Sequence, residues 1–232
     1  GNNYTLVGEN AKHISKVLRM RTGDDITLVS PNKTQYECKI SLITQGEVTV
    51  DIISQKPCEN EPDVFVTLYQ ALPKGDKMDF IVQKCTELGI SRIVPMISAR
   101  CVSRPDEKSL KKKCERWQKI AASAAEQSGR GRVPQVVVCD SYAAALYRGA
   151  QADKALLFYE NEQATTLKMA LQSGPYRSVS LLTGPEGGLE EQEVAEARKM
   201  GFAVCTLGKR ILRCETAPLC ALSAVMYDAG EF

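Results

Sequence analysis

The run Leu181-Leu182-Thr183-Gly184-Pro185-Glu186-Gly187-Gly188-Leu189 places three glycines within five residues. Glycine lets a backbone come close to a ligand and adopt positive φ. Glu190, Glu191 and Glu193 follow where a helix should start. Acids there suit the positive end of the helix dipole but would repel a phosphate. The loop therefore suits an uncharged or cationic ligand, or, taken alone, a tight strand–helix turn. A second run, Leu207-Gly208-Lys209-Arg210-Ile211-Leu212-Arg213-Cys214-Glu215-Thr216-Ala217, brings three cations and a glutamate together between apolar residues. Arg213 beside Glu215 is compatible with a structural ion pair or with holding a polar substrate group.

Other chemistries lack their residues. There is no GxxxxGK[ST] and no GxGxxG, so neither a P-loop nor a dinucleotide fold is supported. The nine cysteines are odd in number and include no CxxC, which reads as buried thiols rather than a disulfide framework or zinc cluster. His13 is the single histidine and no GxSxG accompanies it, so a His-based triad is unsupported and no metal is expected.

The formal net charge is only +2, but it is unevenly spread. Residues 98–132 carry ten cations (Arg100, Arg104, Lys108, Lys111, Lys112, Lys113, Arg116, Lys119, Arg130 and Arg132) against four acids. That segment is a candidate phosphate-contacting surface, although charge alone fits a solvated helix face equally well.

The elements that must hold these loops follow from patterning. Residues 9–20 predict a short helix with Ala11, Ile14, Val17 and Leu18 on one face. Ile26–Val29, Tyr36–Ile43 and Val48–Ile53 are short β-branched runs split by Pro31-Asn32-Lys33 and Gln45-Gly46-Glu47, which predicts a small barrel or meander. The polar stretch Gln55–Asp63 reads as a linker, giving domains 1–62 and 63–232. Beyond it, strands at Val64–Ala71, Ile90–Ile97, Val136–Cys139, Ala155–Tyr159, Val179–Thr183 and Phe202–Leu207 alternate with helices. These are expected at Asp76–Leu88, Lys108–Gln127, 141–148, 164–172, 190–200 and 216–228. The alternation predicts an α/β domain with a mostly parallel sheet covered on both faces, and ligands at the strands' carboxyl ends.

No apolar run of about 18 residues occurs, so no membrane span is expected. The start Gly1-Asn2-Asn3-Tyr4 lacks signal-peptide features, and without an initiator Met it reads as trimmed.

The two loops, taken together, resemble the RsmE family, the SPOUT-class 16S ribosomal RNA uridine N3-methyltransferases. The matching residues are Gly184-Pro185-Glu186-Gly187-Gly188 and Leu207-Gly208-x-Arg210-Ile211-Leu212-Arg213-x-Glu215-Thr216-Ala217. The likeness continues through His13-Ile14-x-Lys16-Val17-Leu18-Arg19 with Gly23-Asp24, Gln83-Lys84-Cys85-Thr86-Glu87-Leu88-Gly89 and Ala124-Ala125-Glu126-Gln127-Ser128-x-Arg130. Five strings in order at compatible spacing are specific, and they span nearly the whole chain.

The resemblance implies a trefoil-knotted SPOUT methyltransferase domain with a smaller N-terminal PUA-like β-barrel that binds RNA. It implies a cytoplasmic homodimer acting on 16S ribosomal RNA in the small ribosomal subunit, with S-adenosylmethionine as methyl donor. The cofactor would be lined by Leu182, Thr183, Gly184, Glu186, Gly187, Leu207, Gly208, Ile211, Leu212 and Thr216, with Tyr159 and Glu160 from another strand end. Arg213 would bind a uracil carbonyl oxygen, and Glu215 would orient Arg213 or act as base. Lys16, Arg19, Arg21, Arg100, Arg104, Arg130 and Arg132 would contact RNA.

Two departures from the family pattern stand out. Its usual opening basic-aromatic strand is not seen, and Glu190 stands where Ser or Thr is usual at a helix N-cap, predicting a weaker helix start. Three rivals remain on sequence: a SPOUT ribose 2′-O-methyltransferase, a non-enzymatic RNA-binding ribosome-assembly factor, and a small-molecule α/β enzyme.

Overall fold

The structure is a computed structural model and describes residues 2–30, 32, 34–137 and 140–232, with only the backbone at Glu9, Val17 and Asp140. The predicted turn at Pro31 and Lys33, the end of the predicted strand Val136–Cys139 and the side chain of Val17 lie outside the described residues. Two compact units emerge: Gly1–Glu61 with Arg130–Arg132, and Pro62–Gly129 with Val133–Phe232.

In the first unit, β1 (Asn3–Val7), β2 (Asp25–Ser30), β3 (Thr34–Ile43) and β4 (Glu47–Pro57) form an antiparallel sheet in the order β1-β4-β3-β2. The meander β2–β3–β4 matches the patterning, and no pairing among the described residues closes it into a barrel. Strand β1 was not expected, because Asn-Asn-Tyr-Thr has no apolar run; its edge pairing with β4 supplies the order. Strand β4 also runs on through Gln55–Pro57, the start of the presumed linker, because β3 is long enough to pair it there.

The predicted helix over 9–20 is shorter and irregular. Helix α1 (Gly8–Lys12) gives way to a π-helical turn at His13–Val17. Ala11 and Ile14 are buried against Leu6, Ile40, Val48 and Val50, but Leu18 is exposed because the chain leaves the helix there.

In the second unit the strands are β5 (Phe65–Ala71), β6 (Arg92–Ile97), β7 (Gln135–Val136), β8 (Asp140–Ser141), β9 (Lys154–Phe158), β10 (Ser178–Thr183) and β11 (Ala203–Cys205). They form a parallel sheet in the order β11-β9-β10-β5-β6-β7, with β8 also on β6. Pro95 lies between the stretches of β6 paired to β7 and to β8, which is where a missing N–H is tolerated. The helices are α2 (Lys77–Glu87), α3 (Glu107–Gln127), α4 (Tyr142–Gly149), α5 (Leu167–Leu171), α6 (Glu191–Lys199) and α7 (Thr216–Asp228).

Helix α2 buries Met78, Ile81, Val82 and Cys85 and ends at Gly89, whose φ of 94° only glycine adopts cheaply. Helix α3 is capped by the Asp106 carboxylate accepting from Ser109 N at 2.7 Å, and it buries Leu110, Cys114, Trp117 and Ala121. Strands that read as near-continuous apolar runs, such as Leu181 and Leu182 in β10, are buried on both faces. No helix among the described residues is long and apolar enough to cross a membrane.

Candidate active site

Strands β9, β10 and β11 end side by side, and the loops leaving them enclose a cleft of about 450 Å³. The loop after β10 supplies Gly184 to Leu189 and the loop after β11 supplies Thr206 to Cys214. Tyr159 and Glu160 enter from β9, and Lys77 from the start of α2. The loop after β9 is tied to the one after β11 by a parallel bridge between Thr166 and Thr206.

The glycines are there for space. A Cβ on Gly184 would stand 3.1 Å from the carbonyl carbon of Gly188 and 3.3 Å from Leu189 Cγ. Gly188 has φ 68°, and a Cβ there would meet the Glu160 carboxylate at 2.3 Å. The loop is thus folded tightly on itself, and at its glycines a ligand can approach the backbone. Arg100 fixes its far side by donating from Nη1 to Gly187 O at 2.9 Å.

Helix α6 starts better than a Glu N-cap suggests. The Glu193 carboxylate accepts from Glu190 N at 2.9 Å and from Ala99 N at 2.8 Å, so the helix start is held from within and from the β6–α3 loop.

An ionic cluster closes one wall. Lys77 Nζ lies 2.9 Å from Glu186 Oε1 and 3.4 Å from Glu215 Oε2, with Cys214 Sγ at 3.7 Å. Lys74 N also donates to Glu186 Oε1 at 3.0 Å. The bond to Glu186 outweighs burial and holds the Lys77 ammonium above its ordinary range. Burial opposes ionisation of Glu186, but the Lys77 bond and backbone donors win and hold it low. Glu215 is likewise opposed by burial and held low, by the Cys214 thiol at 3.1 Å and by Lys77. Burial and the Glu215 bond push the Cys214 thiol up to about 12, so it stays a neutral donor.

Of the residues named from sequence, Tyr159, Glu160, Thr183, Gly184, Glu186, Gly187, Leu207, Gly208, Ile211, Leu212 and Arg213 line the cleft. Thr183 does so with its hydroxyl turned inward, donating to Gln70 Oε1 at 2.7 Å. Three do not line it. Leu182 is wholly buried within β10, one residue short of the strand end that opens on the cleft. Thr216 is the first residue of α7, its N–H spent on Arg213 O at 2.8 Å. Glu215 faces Lys77 rather than Arg213, so it does not orient that guanidinium. Arg213 is exposed at the cleft and makes no side-chain hydrogen bond or ion pair among the described residues. Lys77 and Cys214 were missed: Lys77 lies 109 residues from Glu186, and Cys214, although within the second loop, was passed over between Arg213 and Glu215.

The proposed RNA contacts divide. Lys16, Arg19 and Arg21 are exposed in the first unit, Arg19 with the unusual φ of 54°. Arg132 is exposed as well, while its N–H donates to Glu61 Oε1 at 3.0 Å. Two arginines are committed elsewhere. Arg130 is buried in a bidentate pair with Glu61, because a buried carboxylate must be neutralised. Arg104 donates to the carbonyls of Ser98, Ala99 and Cys101, which ties the β6–α3 loop together. Arg100 is half-exposed and engaged with the glycine loop.

A parallel sheet with a backbone-lined cleft at its carboxyl ends, in a chain that also forms an antiparallel β unit, defines a two-part α/β enzyme. The chain belongs to the RNA methyltransferase family, whose domain model matches residues 60–226, and an RNA methyltransferase PUA domain model matches residues 6–53. More particularly, it is 39% identical to the ribosomal RNA small subunit methyltransferase E of Bacillus subtilis, over 97% of this chain and 90% of that one. Among solved structures, the ribosomal RNA small subunit methyltransferase E of Neisseria gonorrhoeae, bound to S-adenosyl methionine, is 35% identical with a TM-score of 0.86. That match covers 98% of this chain and 92% of that one. A methyltransferase structure from Legionella pneumophila with the cofactor SAM bound is 30% identical with a TM-score of 0.85, covering 98% and 92%.

Proposed function

We propose that this protein transfers a methyl group from S-adenosylmethionine to N3 of a specific uridine in 16S ribosomal RNA of the small ribosomal subunit. The observation that carries the reading is the cleft built by the 184–189 and 206–214 loops, in a chain whose matched relatives include one solved with that cofactor. The residues present fit the group. Leu189, Leu207, Ile211 and Leu212 offer apolar surface for an adenine, the glycines offer backbone, and Glu160 is the acid left for a cationic centre, since Glu186 is held by Lys77.

The finer features belong to the same proposal. Residues 1–62 form the PUA-like RNA-binding domain and 63–232 the SPOUT methyltransferase domain. The trefoil knot lies in the loops after β9, β10 and β11. The chain leaves β10 and passes β9 to reach β11, and the loops of both ends share one cleft, which supports that reading. The active form is a homodimer, and a ribosomal RNA substrate places the work in the cytoplasm.

When bound, the cofactor supplies an electrophilic methyl group on a sulfonium. The protein's part is alignment, plus stabilising charge on the uracil as its N3 proton leaves. Arg213 is placed to receive a uracil carbonyl oxygen, since its guanidinium is exposed at the cleft and uncommitted among the described residues. Glu215, held ionised by Lys77 and Cys214, is poorly matched to taking up a proton near neutral pH.

The test is methyl transfer from labelled S-adenosylmethionine to small subunits lacking the modification, with mass spectrometry of the released nucleosides. A stoichiometric gain of N3-methyluridine is expected. A ribose-methylated product would move the chain to another RNA methyltransferase activity, and no incorporation by protein that binds cofactor and subunit would make it a binding factor.

A further inference from the structure

Lys77 is the one cation whose described contacts join both cofactor loops. It sits in the first turn of α2, after β5, whereas Glu186 belongs to the loop after β10 and Glu215 to the end of the loop after β11. All three side chains are partly buried, with exposures of 32%, 29% and 21%. That is dry enough for the pairs to outweigh ordinary surface ion pairs. Neither carboxylate has another described cation within ion-pair distance, so without Lys77 two partly buried negative charges would face the same space. Their repulsion would push the 184–189 and 206–214 loops apart.

We infer that Lys77 is a positioning residue that clamps the two cofactor loops together through Glu186 and Glu215 and so sets the affinity of the cleft for S-adenosylmethionine. The inference rests on the function proposed above. Lys77 makes no bond in the chemistry. Its ammonium holds the cleft walls at their working separation, while the RNA-facing guanidinium of Arg213 lies outside the clamp.

The experiment uses full-length protein and S-adenosylmethionine, with Lys77→Met as the main variant because it keeps the aliphatic stem. Calorimetry should show the dissociation constant raised about tenfold, the scale of a lost coupling between neighbouring charged groups. Steady-state kinetics on small subunits should show KM for the cofactor rising while kcat at saturation stays within about twofold. Lys77→Arg should recover most of the affinity, since it restores a cation able to span two carboxylates. Without ligand, hydrogen exchange in both loops should quicken in Lys77→Met and not in Lys77→Arg. Glu186→Gln and Glu215→Gln should combine non-additively with Lys77 present and additively in the Lys77→Met background.

A folded Lys77→Met protein that binds the cofactor like the wild type would overturn the clamp. So would equal loss in Lys77→Met and Lys77→Arg. If Lys77→Met does not fold, Lys77→Gln carries the same comparison, and wild-type affinity there is equally fatal. Wild-type protein that binds no S-adenosylmethionine would instead sink the proposed function itself.

Discussion

Arg130 and Glu61 form a bidentate ion pair in which each side chain is only 4% exposed, with Nη2 to Oε2 at 2.9 Å and Nε to Oε1 at 3.2 Å. Glu61 also accepts from Arg132 N, so the short segment 130–132 is fastened to the unit built from residues 1–61. Cutting one partner strands a buried charge, which costs about 3–5 kcal/mol. Arg130→Ala should therefore destabilise the protein by that order in denaturant unfolding, and Arg130→Ala with Glu61→Ala should cost less than the two single changes summed. A change in stability under about 1 kcal/mol would contradict the pair's structural role.

With Arg104 and Arg130 bound to the protein, the free charge of the 98–132 segment is carried by lysines. Lys108, Lys111, Lys112 and Lys119 are exposed on α3 opposite Leu110, Cys114 and Trp117, and none makes an ion pair or side-chain hydrogen bond among the described residues. Replacing all four with Ala should lower the salt slope of RNA binding by up to about 0.7–0.9 per phosphate contact removed. Arg104→Ala should leave the slope alone. The measurement is the dissociation constant for small-subunit RNA across a salt series, and an unchanged slope for the quadruple variant would return α3 to a merely solvated face.

Glu162 gives a pH signature. Its carboxylate accepts from Arg198 Nη2 at 2.6 Å and from the N–H groups of Ala164 and Thr165, which together lower its pKa to about 2 against a small burial penalty. A depressed carboxylate contributes stability above its unfolded pKa of about 4.3, and loses it as pH falls through the folded value. Melting temperature should therefore fall between about pH 4.3 and 2, and Glu162→Gln should already start lower at neutral pH and fall less over that window. Other carboxylates titrate there as well, so the difference between the two curves is the quantity to read. Parallel curves would show that the pair adds nothing to folding.

What could be seen in the sequence was what local spacing encodes. The apolar rows of α2 and α3 and the glycine loop follow from neighbours within a few residues, and each lies where the patterning put it. What could not be seen depends on partners far along the chain. Strand β1 is ordered by β4, and β8 is two residues long with β6 as its partner. Arg130 looked like a phosphate contact because Glu61 is 69 residues away, and Lys77 was not singled out because Glu186 is 109 away. The glutamate at the α6 N-cap looked weak for the same reason, since the third residue of the helix and the Ala99 amide were both needed to complete that corner.

Arg213 carries the sharpest chemical prediction. Its main-chain carbonyl accepts from Thr216 N and Ala217 N and so starts α7, while its side chain is exposed at the cleft. Backbone and side chain thus have separate tasks, and truncating the side chain leaves the helix start intact. Arg213→Ala should keep the melting temperature within about 2 °C, as expected for a surface change of under 0.5 kcal/mol. It should bind S-adenosylmethionine as the wild type does, yet lose about 10²–10³-fold in kcat, the usual cost of removing one donor from a developing anion. Raising the pH should narrow that gap, because more of the uridine is already deprotonated at N3 and less stabilisation is asked of the guanidinium. A loss confined to KM for RNA, with kcat intact and no dependence on pH, would make Arg213 a binding contact and leave the uracil anion to be stabilised by another group.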